Sequence, residues 1–140
     1  MEKLTEDQQQ EFMRNFVRGY VANSKKRRYS ELLANKPGGK REVLADLAKK
    51  PLLDEGRAFR LKGSDRTSNG VVGRLKALGC PASVVVLSEN PQLDGRILEL
   101  NGAARETLGS GMGTIFICIP DKLAFFEGED GNDRFILSFD

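Results

Sequence analysis

Thr114-Ile-Phe-Ile-Cys-Ile119, Lys122-Leu-Ala-Phe-Phe-Glu127 and Arg134-Phe-Ile-Leu-Ser-Phe139 are three apolar runs within the single stretch Gly113 to Phe139, and their reading decides the fold. They are rich in β-branched and aromatic residues, which pack well on a pleated surface. Pro120-Asp121 parts the first two runs: proline presets φ at the first corner of a turn and aspartate tolerates the second. The polar segment Gly128-Glu-Asp-Gly-Asn-Asp133 parts the last two. The stretch therefore predicts a three-stranded antiparallel meander.

With a two-residue turn at Pro120-Asp121, Phe116 faces Phe125 and Cys118 faces Leu123 on one side. Ile115 then faces Phe126, and Ile117 faces Ala124, on the other. Both faces are apolar, so each needs cover. If helices shield only one, Ile115, Ile117 and Phe126 become a contact surface for a protein partner or a second copy in a homodimer. If the early helices cover one face and the 101–108 segment the other, the same residues are core.

Outward from the meander, Ser83-Val-Val-Val-Leu-Ser88 reads as a fourth, buried strand. A turn spans Glu89 to Gly95, and a short helix is expected from about Asn101 to Leu108. Gly109-Ser-Gly-Met-Gly113 resembles a phosphate loop only in glycine content. It leaves a helix and enters a strand, whereas phosphate loops run from a strand into the N–H end of a helix. It reads as a structural turn.

The first half is helical. Thr5 and Gln8 form a capping box, and the apolar spacing from Phe12 to Val21 predicts a helix over Glu6 to Ala22. A second helix, capped by Ser24, runs to Leu33. Asn35-Lys-Pro-Gly-Gly39 breaks the pattern, and a third helix covers Lys40 to Lys49. Leu52 to Leu61 has no clean period and reads as a connector. After the loop Gly63 to Gly70, a helix capped by Ser68 or Asn69 carries Val71, Val72, Leu75 and Leu78 and closes at Gly79. The expected fold is α+β in one domain: a helical N-terminal portion (1–79) packed on a C-terminal portion (80–140) that forms a largely antiparallel sheet of three to four strands.

Composition excludes whole classes of chemistry. The 140 residues contain no histidine, which removes Ser-His-Asp and Cys-His catalysis. Cys80 and Cys118 are far apart in sequence and too few for a structural zinc site, so both read as small buried hydrophobes. No cofactor is expected. No apolar run reaches the roughly 20 residues of a membrane helix, and the acidic start Met1 to Asp7 is unlike a secretory signal. A cytoplasmic protein without a membrane partner is expected.

Charge divides the chain. Met1 to Cys80 holds 18 Lys and Arg against 10 Asp and Glu, and Pro81 to Asp140 holds 4 against 10. The cations suggest two sites. Lys25, Lys26, Arg27, Arg28, Lys40 and Arg41 could hold nucleic acid or another polyanion. Lys62, Arg66, Ser68, Asn69 and Arg74 could surround an anion at a helix N-terminus. Glu127, Glu129, Asp130, Asn132 and Asp133 supply oxygen ligands but not the pattern of an EF-hand, and they read as a solvated hairpin tip.

No catalytic residue is assigned. The leading expectation is a binding or regulatory protein acting by self-association or macromolecular recognition. Polyanion binding by the basic helices is the alternative, and a carboxylate-metal hydrolase ranks third.

Overall fold

A computed structural model describes residues 2–35 and 37–139. Helices α1 (Glu6–Tyr20), α2 (Asn23–Asn35) and α3 (Gly39–Lys49) come first, followed by strand β1 (Ala58–Arg60), a 3-10 turn at Gly63–Arg66 and helix α4 (Ser68–Ala77). Then come β2 (Ser83–Ser88), β3 (Arg96–Glu99), α5 (Leu100–Thr107), β4 (Thr114–Ile119), β5 (Leu123–Glu127) and β6 (Arg134–Ser138). The fold is α+β, as expected. Its sheet has six strands in the order β1-β6-β5-β4-β2-β3, every neighbouring pair antiparallel, and not three to four.

The two unexpected strands are the edges. β1 has three residues and lies inside the segment read as a connector, and β3 runs straight into α5. Neither is long enough to show a period of two. The outer side of β3 is covered by residues 2–4: Leu4 N–H donates to Gly95 O at 2.7 Å and Ile97 N–H to Glu2 O at 3.2 Å. The short edge at β1 stays open, with Phe59 57% exposed. Covered or very short edges resist pairing with other chains.

The meander forms as read, with Ile115 opposite Phe126, Phe116 opposite Phe125 and Ile117 opposite Ala124. The turn is one residue longer than expected. Ile119 pairs with Leu123, so Pro120, Asp121 and Lys122 make the connection, and Cys118 is the extra residue of a bulge and does not face Leu123. Asp121 takes φ 63°, the left-handed conformation aspartate tolerates better than most side chains.

Alternation along the strands sends two apolar sets to opposite faces. Leu87, Ile115, Ile117, Ala124, Phe126, Phe135 and Leu137 pack with Met13, Phe16, Val17 and Tyr20 of α1, Tyr29 and Leu33 of α2, and Val43, Leu44 and Leu47 of α3. Val84, Val86, Phe116, Cys118, Leu123, Phe125 and Ile136 pack with Val71, Val72 and Leu75 of α4 and Leu100, Ala103 and Ala104 of α5. Helices thus cover both faces. Ile115, Ile117 and Phe126 are core residues beneath α1–α3 and not a contact surface, because the early helices are wide enough to shield that face.

The caps explain where the helices start. Thr5 and Gln8 form the capping box on α1. Thr67, not Ser68 or Asn69, caps α4, its hydroxyl accepting from Gly70 N–H at 3.0 Å. α2 begins at Asn23, one residue before the expected cap Ser24. Lys36, in the breaker before α3, lies outside the described residues. Gly39 is required by close approach: a Cβ there would stand 2.0 Å from Leu32 O.

Phe125 and Phe126 are neighbours that point into different clusters, and both are fully buried. Phe125→Ala and Phe126→Ala should each destabilise the protein by about 3–5 kcal/mol in chemical denaturation. A near-neutral result for either would mean that its face is not a packed core.

Candidate ligand pocket

The cover on the α1 side thins at one end of the sheet. Tyr20 ends α1, and the chain turns back so that Asp54 N–H donates to Tyr20 O at 2.7 Å, while Val21 bridges Leu53. That return brings Arg57 beside the end of α1, where its Nη1 donates to Gly19 O at 2.9 Å. Phe139 follows β6 and closes the corner. Its ring lies under the Arg57 guanidinium at 4.0 Å and beside the Tyr20 ring at 5.1 Å. Gly19 permits this contact, since a Cβ there would be 3.0 Å from Phe139 Cζ.

Between α1, the β4–β5 turn and Phe139 lies a pocket of about 460 Å³. Phe12, Phe16, Ile117, Ile119, Leu123, Ala124 and Phe139 supply apolar walls, and Asn15, Arg18, Tyr20, Arg57 and Asp121 bring polar groups. A mainly apolar concavity with a few polar groups, in this size range, is the usual form of a small-molecule site.

Tyr20 is set apart from the other lining residues by its hydroxyl. The residue is 3% exposed, and its hydroxyl is the one buried side-chain polar atom without a hydrogen-bond partner among the described residues. Buried polar groups are almost always paired, because leaving one unpaired forfeits its hydration without return. Burial, then the charge of Asp121, pushes the phenol up to about 12, against a smaller opposing effect of Arg57. At neutral pH it is a proton donor.

The sites expected from sequence fare differently. Lys40 is drawn inward: its side chain is 12% exposed and its Nζ donates to Asp94 and Gln9. It ties α3 to α1 and the β2–β3 turn, so it is not an open polyanion contact. Lys25 lies 3.9 Å from Asp46, and Arg27 pairs with Glu31 one helical turn on. Lys26, Arg28 and Arg41 carry no ion pair among the described residues.

Lys62 and Arg66 do meet, in a shallow hollow with Arg60 and Asn132. Arg66 donates to Asn132 there, and Arg60 pairs with Asp133 at 2.7 Å. Ser68 and Asn69 sit in the first turn of α4, while Arg74 belongs to its last turn, too far along the helix to join them.

The acidic residues are divided among structural tasks. Glu127, 1% exposed, accepts from Arg134 Nε at 2.7 Å and from Gly109 N–H at 3.0 Å. Its carboxyl is held above the ordinary value by burial, which outweighs the opposing pull of Arg134 and Gly109. Glu89 accepts from Gly113 N–H at 2.6 Å. The glycine-rich loop therefore has its end N–H groups bonded to the chain's own carboxylates. Among the described residues, no three His, Cys, Asp or Glu gather to hold a metal ion, and no helix is long and apolar enough to cross a membrane.

No protein-family model, curated protein or solved structure matches the chain. Sequence reading did not find the pocket. Its polar groups come from Asn15, Arg18 and Tyr20 on α1 and from Arg57 and Asp121, and the return of the chain after α1 brings Arg57 beside the helix.

The two tyrosines are the only such residues, and there is no tryptophan, so phenolate absorbance reports Tyr20 and Tyr29 alone. Burial, then the hydrogen bond to Asp46 and its charge, also raises Tyr29. Unfolded tyrosines titrate near pH 10. The folded state holds these protons longer, so the stability they contribute is complete below about pH 10 and is lost as pH rises toward about 12. An alkaline titration should show neither phenol ionising near pH 10 while the protein remains folded. One ionising there would place that ring in water.

Proposed function

We propose that this protein works by binding a small ligand and not by transforming a substrate, and that the pocket between α1 and the β4–β5 turn is the binding site. The observation that carries this is a mainly apolar pocket of about 460 Å³ with the Arg57 guanidinium in its lining. A ligand with an apolar body and one acceptor group would suit it. The missing histidines are in keeping with recognition as the role. A regulatory task in the cytoplasm belongs to the same reading.

Other readings have less behind them. Self-association across a bare sheet face loses its motive, since Ile115, Ile117 and Phe126 are covered. A polyanion would rest on Lys26, Arg27, Arg28 and Arg41 without Lys40. A metal hydrolase would need carboxylates such as Glu89, Asp94 and Glu127, which are bonded within the fold.

Methyl-detected NMR with a library of small apolar compounds tests the reading. Binders should shift the methyls of Ile117 and Ala124 and leave Val71 and Leu100, on the opposite face, unmoved. Asn15→Trp, which places a ring at the pocket mouth, should abolish these shifts in a folded protein. Binders that act only elsewhere, or none at all, would overturn it.

A further inference from the structure

The donors around Tyr20 narrow the class of ligand, and the inference rests on the pocket being the site. Arg57 carries five N–H groups in a planar fork. One is spent on Gly19 O, and among the described residues the guanidinium makes no other hydrogen bond. Asp54 pairs with the same nitrogen at 4.0 Å, the limit of an ion pair. The Phe139 ring lies beneath it at 4.0 Å. Tyr20 and Arg57 are kept near one another by the Asp54 N–H to Tyr20 O bond and by the bond of the Arg57 side chain to Gly19 O. Arg18 is a second cation in the lining, bonded only loosely to Asn15 at 3.4 Å.

The Arg57 guanidinium in the pocket lining has planar N–H groups left over after its bond to Gly19 O. Two acceptor oxygens in one plane suit it, and guanidinium recognises carboxylate in this manner. A dianion suits the site less well, because Asp121 in the lining and Asp54 beside Arg57 offset the two arginines. An amine would face both arginines, Arg18 and Arg57. The apolar walls call for a hydrocarbon or aryl body.

We infer that the ligand is a monocarboxylate with an apolar body, its carboxylate received by the Arg57 fork and its body lying against Phe12, Phe16, Ile117 and Ala124.

Calorimetry and methyl NMR on the full chain at neutral pH, with octanoate, octanol and octylammonium as probes, test this. Octanoate should bind at least tenfold more tightly than either other probe. Arg57→Gln should cost octanoate at least tenfold and leave octanol unchanged, and Arg57→Lys should fall between. Octanol or octylammonium binding as well as octanoate would overturn the carboxylate assignment and leave the pocket standing as an apolar site. If none of the three moves the pocket methyls, the assignment and the binding reading fall together.

Discussion

The fold depends on one constraint: the ribbon β4–β5–β6 is apolar on both sides, and water must be kept from each. Side chains alternate along a strand, so a run such as Ile115-Phe-Ile-Cys118 cannot turn its oily groups to one side. The chain answers with two helical layers, α1–α3 over one face and α4–α5 over the other. Burying a large apolar side chain contributes roughly 1.5–3 kcal/mol, and the phenylalanines at positions 116, 125 and 126 are fully buried. The central strands therefore bind the helical half to the sheet half. β1, from the first half, pairs with β6 and completes that join.

The pocket is a consequence of how that cover ends. The bulge at Cys118 and the left-handed Asp121 shape the β4–β5 turn, which lines the pocket together with α1. The space left is partly filled by Phe139 and Arg57, which stack on one another, and by the ring of Tyr20. Elsewhere the polar groups brought inside find partners: Lys40 with Asp94 and Gln9, Glu127 with Arg134 and Gly109, Tyr29 with Asp46. Tyr20, whose hydroxyl has no partner among the described residues, stands out against that background.

The parts legible in the sequence are those with a local signal. Thr5 and Gln8 announce α1, the apolar spacing places α1, α3 and α4 within a residue or two, and the meander is written in its β-branched and aromatic runs. β1 and β3 carry no such signal, because strands of three and four residues owe their state to neighbours already in place. The turn at Pro120 was legible in kind and not in length, which shifted Cys118 out of register with Leu123. Charge was the least informative guide. Lys40 belongs to a basic run in sequence and to a buried network in space, and Arg74 shares a helix with Arg66's neighbours but not an end of it. The pocket was illegible because Arg57 and Asp121 lie dozens of residues from α1 and none of its polar members belongs to a motif.

The most direct test of the central claim is oxidative footprinting of the native protein, read by mass spectrometry over a wide range of dilution. Phe125 and Phe126 should both stay unmodified at every concentration while Phe59, on the open edge, is oxidised. Labelling of either member of the pair as the protein is diluted would contradict the account, for it would show a sheet face shielded by a second molecule and not by the chain's own helices.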